Sequence, residues 1–464
     1  MTRGADPEAP GSPRRERSVL LWILAGALVL RLVVLYAISP TPLAGDELDY
    51  FWRGAERMQG IEPADLGSRP PAMELLLGGL FRLTGASIPA ARLANVVLGV
   101  LLLVPLYDVA RRLAGAGVAR LAAAIAAVYP NFVAFSHYLW SETVYLFLVL
   151  WGLSLIGSWV DRPAPSALWK LGLAGACLGL SALTRVVGLA FPFIAAAWLL
   201  WTARDRLRAG DATAWLAPAC LLVATLLPIA PWTAHLNRVG EPFAPITRTT
   251  WLNLYVGNGE PVHGAHPVNH YTSLGETRVA REARARELVL ETIGRRLPAW
   301  PFEKIASELP NFVSPTSFAV RRLAMSPDAK WATNLAWAYR FRFDWLDPPA
   351  VRNAAIVVIV GAYLVVVLAG TTGLALLPHS SWRGLLLLFV LSQIAPTLLT
   401  FAVSRFRIAT MAIVIVGAAW LVRAGPEAWR RATPLAQGSA IFATGAVAGM
   451  IWLRWHQIFD RSWG

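Results

Sequence analysis

Two adjacent carboxylates, Asp46 and Glu47, stand in the stretch Pro40-Thr-Pro-Leu-Ala-Gly-Asp-Glu-Leu-Asp-Tyr50, directly after the first long apolar run. A carboxylate at that point has two possible uses. It can cap the free N–H groups of a helix that begins there, or it can exchange a proton with a reacting group. Leu48, Phe51, Trp52, Ala55 and Met58 then fall on one side of a helix, and Asp49, Tyr50, Arg53, Glu56 and Arg57 largely on the other. That pattern predicts a helix lying in the membrane interface rather than spanning it. A third carboxylate, Glu142, opens a later apolar run, where it either caps the helix or faces the same space as Asp46; His137 beside it reads as structural. Four arginines complete the set: Arg69 before Pro70-Pro71, Arg185 ending Leu180-Ser-Ala-Leu-Thr-Arg185, and Arg405 and Arg407 in Ser404-Arg-Phe-Arg407. Guanidinium groups bind phosphate bidentately, so a shared anion would explain all four at once. The competing reading has each arginine snorkelling to the interface on its own.

The elements that must hold these groups are membrane helices. The chain has 464 residues, 56% of them hydrophobic and only 15% charged, where a soluble domain carries roughly 25% charge. Many runs are long and apolar enough for a bilayer. About eleven spans are expected, near 19–38, 88–111, 118–136, 139–160, 167–184, 186–203, 213–233, 351–377, 383–402, 406–424 and 434–455. A short apolar segment, 72–84, lies beside the Asp46 stretch. The fold class is therefore an all-α polytopic membrane protein. Its parts are a disordered cytoplasmic tail (1–18), an N-terminal membrane module (19–233) with its first outer loop at 39–87, an extracytoplasmic, mainly helical region (234–350), and a C-terminal membrane module (351–464).

Arginine placement gives the orientation. With the N-terminus inside, each inner loop is basic: Arg111, Arg112 and Arg120, then Arg162 and Lys170, then Arg204, Arg206 and Arg208, then Arg383, then Arg423, Arg430 and Arg431. Arg69, Arg185, Arg405 and Arg407 then fall at the outer ends of spans, the side poor in positive charge. Ionisable groups there are costly and mark function. The formal net charge of +14 belongs to inner loops and anionic lipid ligands, not to nucleic acid. Cys177 and Cys220 lie inside apolar runs and build neither a disulfide framework nor a zinc site. In the outer region, Trp251-Leu-Asn-Leu-Tyr-Val-Gly-Asn-Gly-Glu260 reads as a turn-rich loop in which Asn253, Tyr255 and Asn258 would meet a sugar. A helix over 276–296 follows, with Val279, Ala283, Leu290, Ile293 and Leu297 as its apolar stripe. His263, His266 and His270 share one loop, so a divalent metal there is conceivable, but the spacing defines no coordination geometry.

In this order the motifs resemble the GT-C glycosyltransferases of the family 39 and aminoarabinose-transferase kind. The matching features are Asp46-Glu47 with Tyr50 after the first span, Arg69-Pro70-Pro71, Ser141-Glu142 at a span start, and Leu183-Thr184-Arg185. Pro231-Trp232 with Asn237-Arg238, then Asn253 to Asn258, and Ser404-Arg405-Phe406-Arg407 follow. The likeness covers roughly residues 19–425. It departs where the family has a proline soon after the second arginine of the last element, since here Ile408-Ala409-Thr410 follows.

The resemblance implies transfer of a sugar from a polyprenyl-phosphate donor to an acceptor hydroxyl on the extracytoplasmic face of the inner (plasma) membrane. It implies Asp46 as general base, with Glu47 or Glu142 positioning the acceptor or tuning the base. Arg69, Arg185, Arg405 and Arg407 would hold the donor phosphate, and Tyr50, Asn253, Tyr255 and Asn258 the sugar or acceptor. No cofactor is required by such chemistry, because phosphate already leaves readily; a divalent metal stays possible. The expected partners are the lipid donor, membrane lipid and an acceptor of open identity, with no nucleic acid. A transporter or lipid flippase, and an oligosaccharide ligase or polymerase, are the other readings. The charges cluster on one face and no internal repeat is evident, which speaks against a transporter.

Overall fold

The computed structural model describes residues 13–240, 243–259, 272–325 and 338–458. Among them there are helices and turns and no strand. In order the helices are α1 (Pro13–Ala37), α2 (Asp46–Met58), α3 (Ala72–Thr84), α4 (Ile88–Leu101), α5 (Leu103–Val128), α6 (Pro130–Phe135), α7 (Ser141–Val160), α8 (Leu168–Thr184), α9 (Ala190–Thr202) and α10 (Arg204–Arg208). They continue as α11 (Ala212–Val239), α12 (Thr250–Asn258), α13 (Arg278–Arg296), α14 (Trp300–Phe312), α15 (Phe318–Ala324), α16 (Pro349–Leu376), α17 (Ser381–Leu399), α18 (Ile408–Ala424), α19 (Glu427–Arg431) and α20 (Pro434–Leu453).

Nine helices among the described residues are long and apolar enough to cross a membrane, so the chain is a multi-pass membrane protein. The expectation of about eleven differs at two places. One apolar stretch, Ile88–Val128, counts once, although α5 leaves helical geometry at Ala114 and Gly115. Val186–Thr202 is apolar but shorter than the nine. The span expected over 118–136 ends earlier, because Pro130 begins the separate α6.

Small residues let the helix backbones touch, which is how helices associate where lipid removes the hydrophobic drive. A methyl group on Gly175 of α8 would sit 2.3 Å from the Leu221 carbonyl oxygen of α11, and one on Gly179 2.2 Å from that of Thr225. α16 and α18 approach as closely: a methyl on Gly373 would lie 2.0 Å from the Gly417 carbonyl oxygen.

At one end of the bundle the helices break into short connections, and α2 and α3 pack across them. The buried side of α2 mixes apolar Phe51 and Ala55 with polar groups. Its Glu47, Tyr50 and Arg53 are buried, while Leu48 and Trp52 are exposed, as suits a helix whose outward side meets lipid.

Helices α12, α13 and α14 are bolted to this end rather than laid over it. α12 packs on α13 through Tyr255, Ala285 and Val289. The Glu282 carboxylate accepts the free N–H groups of Trp251 (2.9 Å) and Leu252 (3.1 Å), capping α12. The helix expected at 276–296 is α13, but its buried face is Glu282, Ala285, Val289 and Thr292. Val279, Leu290 and Leu297 of the expected stripe are exposed, because the capping contact of Glu282 fixes the rotation.

Candidate active site

A cavity of about 300 Å³ opens where α2, α7, α8, α17 and the start of α18 meet. Its wall contains Asp46, Tyr50, Arg69, Glu142, Arg185, Asn253 and Arg405, all expected from the sequence, together with Trp140, Tyr145, Thr184, Gln393, Thr397 and Phe406.

Each charged group is delivered by a local break in the helices. Gly45 precedes α2 with φ 54°, a conformation glycine adopts without a Cβ clash, and the turn points Asp46 into the cavity. Arg69 stands before two prolines, ahead of α3. Arg185 ends α8 in extended geometry (φ −148°, ψ 124°). Arg405 lies in the 3₁₀ turn Ser404–Arg407, and Glu142 lies in the first turn of α7. Loops thus supply the guanidiniums while helix starts supply the carboxylates.

Asp46 does not cap α2. Gly45 occupies the cap position, and no side chain closes it. Both Asp46 oxygens are instead spent on arginine: Oδ1 accepts from Arg69 Nη2 at 2.7 Å, and Oδ2 from Arg405 Nη1. Burial works to raise the Asp46 pKa, but Arg405 and Arg69 outweigh it and hold the carboxyl at about 2. The Arg69 guanidinium is opposed by burial yet shifted further up by Asp46, Tyr50 and Asp49.

Glu142 makes a second pair. Its Oε1 accepts from Arg185 Nη1 at 2.5 Å and lies 3.6 Å from Arg405 Nε, while Arg185 Nη1 also donates to Ser141 Oγ at 3.2 Å. Arg405 therefore bridges the two carboxylates, stacked 5.1 Å from the Trp140 ring and 5.6 Å from that of Phe406. Three buried polar atoms at this junction, Glu142 Oε2, Arg405 Nε and Trp140 Nε1, make no hydrogen bond.

Asp49, on the polar side of its helix, accepts from Arg69 Nε and, at 3.0 Å, from Arg53 Nε. Arg53 continues to Asp65, Ser68 (2.6 Å) and Glu74 (3.4 Å). This chain anchors Arg69 from behind. Its signal in the sequence was the i, i+4 spacing of Asp49 and Arg53.

The remaining predicted residues lie outside the cavity wall. Glu47 is fully buried on another side of α2; it accepts from Arg322 Nη2 of α15 and from the Leu139 N–H at 3.2 Å. Arg407 donates to the carbonyls of Phe312 (3.2 Å), Ser314 and Thr316 (2.7 Å), with its guanidinium 4.1 Å from the Tyr363 ring centroid. Tyr255 is core between α12 and α13. Asn258 binds the carbonyls of Leu254 and Leu399, both at 2.8 Å, and accepts from Trp300 Nε1 at 2.9 Å.

The turn-rich loop expected at 251–260 is helix α12 up to Asn258. Gly257 serves close approach rather than turning, since a methyl there would lie 1.8 Å from the Thr400 carbonyl oxygen. Lys304 tightens the same junction, donating to the carbonyls of Gly257 (2.8 Å) and Thr400 (2.6 Å) and to Glu308 (2.9 Å), whose other oxygen accepts the Ala402 N–H at 2.8 Å. The segment leading to Arg405 is thus held by α12 and α14. His263, His266 and His270 lie outside the described residues. Among the described residues no group of three or more His, Cys, Asp and Glu side chains is placed to hold a metal ion.

Residues 68–232 match the family model described as dolichyl-phosphate-mannose-protein mannosyltransferase. The fold is similar to that of the Archaeoglobus fulgidus oligosaccharyltransferase in its apo form, with TM-score 0.52 and 15% identity over 95% of this chain and 56% of that one. It is equally similar to the oligosaccharyltransferase AglB of that organism in complex with an inhibitory peptide and a dolichol-phosphate, with TM-score 0.51 and 15% identity over 96% of this chain and 55% of that one. This chain therefore spans little more than half the length of those proteins. A looser likeness, TM-score 0.41 and 15% identity over 94% of this chain and 89% of the other, links it to ArnT from Cupriavidus metallidurans bound to undecaprenyl phosphate. No curated protein matches the chain in sequence. The fold is that of the GT-C glycosyltransferases.

Proposed function

We propose that the protein is a membrane glycosyltransferase that moves a sugar from a polyprenyl-phosphate donor to an acceptor hydroxyl at the extracytoplasmic face of the inner membrane, with its N-terminus cytoplasmic. The observation that carries this reading is the single cavity whose wall holds Asp46, Glu142 and the guanidiniums of Arg69, Arg185 and Arg405. Its 300 Å³ sits at the lower end of the roughly 300–1,000 Å³ common for ligand sites, which suits one sugar and a phosphate better than a long glycan. The family match over residues 68–232 supports the same class of chemistry.

In this reading the acceptor oxygen attacks the anomeric carbon and its proton passes to the Asp46 carboxylate. The carbon–oxygen bond to phosphate breaks with inversion at the anomeric carbon. The bonding pair stays on the phosphate oxygen, where Arg69, Arg185 and Arg405 balance the growing charge. Glu142, with one oxygen unspent, orients a hydroxyl of the sugar or acceptor. Tyr50 and Asn253 border the same space. Glu47, Arg407, Tyr255 and Asn258 hold the scaffold. Residues 19–233 and 351–464 form the membrane modules, and 234–350 braces the Arg405 segment.

The test is donor consumption. Purified protein is incubated with a panel of radiolabelled short-chain polyprenyl-phosphate sugars and a total envelope extract as the source of acceptor. Sugar should move from one of the donors into the extract, and Asp46→Asn should abolish the transfer. A wild-type protein that consumes none of the donors, or an Asp46→Asn variant at wild-type rate, would overturn the reading.

A further inference from the structure

The site has a feature at odds with a simple base: each Asp46 oxygen already accepts from a guanidinium. Arg69 holds one and Arg405 the other. A carboxylate with both oxygens engaged by guanidinium groups is poorly placed to take a proton, because each arginine stabilises its charged form. The same two arginines face the cavity in which a donor phosphate would lie.

The charge balance bears on what can enter. The cavity wall carries three guanidiniums, Arg69, Arg185 and Arg405, against two carboxylates, Asp46 and Glu142, an excess of one positive charge. A phosphodiester anion brings one negative charge and unpaired acceptor oxygens. It matches the excess, but to be held bidentately it must draw guanidinium N–H groups that Asp46 now occupies. Arg405 Nε makes no hydrogen bond and lies 3.6 Å from Glu142 Oε1, so Arg405 is hydrogen-bonded to Asp46 but only loosely paired with Glu142.

We propose that Asp46 is an internal stand-in for the donor phosphate: the phosphate exchanges with it on Arg405 and Arg69, and only the exchange frees the carboxylate to accept a proton. The inference rests on the glycosyltransferase reading and adds an order of events, donor first and acceptor activation second. No proton moves before the donor is seated. Once it is, the Asp46 carboxylate takes the acceptor proton in the step already described, and the arginines stay with the departing phosphate.

Exchange makes a prediction that a purely catalytic or purely structural Asp46 does not. Removing the Asp46 charge removes a competitor, so Asp46→Asn should bind phosphate more tightly although it transfers no sugar. The probes are a short-chain polyprenyl phosphate without sugar, the matching polyprenol, and inorganic phosphate, titrated against wild type and Asp46→Asn in detergent. The polyprenyl phosphate should gain about tenfold in affinity for the variant, on the order of one charge-assisted hydrogen bond. Inorganic phosphate should gain in the same proportion, and polyprenol not at all. Equal or weaker phosphate binding by the variant, or an equal gain for polyprenol, overturns the exchange.

A wild-type measurement covers the case in which the variant folds poorly. With ¹³C-labelled aspartate, the infrared difference spectrum on adding polyprenyl phosphate should show an arginine-paired carboxylate band shifting; an unchanged aspartate spectrum contradicts the proposal. Failure here is separable from failure of the function. An inactive Asp46→Asn with unaltered phosphate affinity sinks the exchange alone, whereas an active one sinks the base.

Discussion

Asp46 and Glu47 are neighbours in the chain, carry the same charge and each pair with arginine, yet they belong to different parts of the protein. Asp46 faces an open cavity, its side chain 24% exposed, and shares its two arginines with that space. Glu47 is 0% exposed and joins α2 to Arg322 across the fold, at 2% exposure. The separation is helical geometry: one residue is about 100° of rotation, enough to turn one carboxylate to the cavity and the next to the protein interior. Accessible charge can exchange partners with a ligand. A pair sealed from water cannot, and it acts by fixing where α2 and α15 sit.

The predictions that sharpen this contrast begin with transfer itself. Asp46→Asn should cost about 10²–10⁴-fold in turnover, while Glu47→Gln should leave turnover per folded molecule within a few fold. Equal losses in the two variants would erase the distinction. Arg405→Met should raise the donor KM about 10- to 100-fold, the scale of one charge-assisted hydrogen bond, whereas Arg407→Met should act on thermal stability before it acts on donor KM. In the sealed region, Glu47→Ala should cost about 3–5 kcal/mol of stability, since Arg322 loses its carboxylate partner out of reach of water. A calorimetric or detergent-challenge measurement showing no loss would mean that water reaches the pair.

A smaller effect is expected from Gly257→Ala. The added methyl must push the Thr400 backbone aside, and a shift of the segment leading to Arg405 should raise donor KM a few fold with the KM for acceptor unchanged. The smallest concerns pH. The Asp46 carboxyl is depressed to about 2 by Arg405 and Arg69 against the effect of burial. Whatever stability the pairing supplies is therefore present above the unfolded carboxyl pKa of about 4 and is lost only as pH falls through about 2. The charged and titratable groups around Asp46 are Asp49 and Tyr50 of its own helix, Arg69 before α3, Glu142 of α7 and Arg405 before α18. The ratio of phosphate affinities of wild type and Asp46→Asn should accordingly be flat from pH 5 to 8. A step in that window would place the carboxyl near its ordinary value.

The sequence showed the cavity better than its frame. Arg69, Arg185 and Arg405 stood out because a charge at the end of an apolar run is costly and needs a partner, a signal that survives without coordinates. Glu47 was expected in the site from the resemblance, Arg407 from its place at the end of a span and Asn258 from its turn-rich surroundings, and none of these signals tells which way a side chain faces. Each is instead tied to backbone or side-chain groups far away in sequence: Glu47 to Arg322, Arg407 to the 312–316 carbonyls, Asn258 to Leu399. The α12 helix was hidden for the same reason. Its Asn and Gly residues read locally as a turn, while the Glu282 cap and the tight seat of Gly257 on Thr400 are tertiary. The membrane architecture was legible from hydropathy, and the span count differed where Ile88–Val128 counts once and Val186–Thr202 falls short of the other spans.

The central claim is that Asp46 removes the acceptor's proton, and chemical rescue tests it most directly. Asp46→Ala is mixed with polyprenyl-phosphate sugar and azide, an anionic nucleophile that needs no base. Azide should attack the anomeric carbon, release the lipid phosphate and yield a glycosyl azide at a rate the variant cannot reach with its normal acceptor, with no stimulation of wild type. A variant that still binds polyprenyl phosphate but gains no turnover from azide would contradict the assignment.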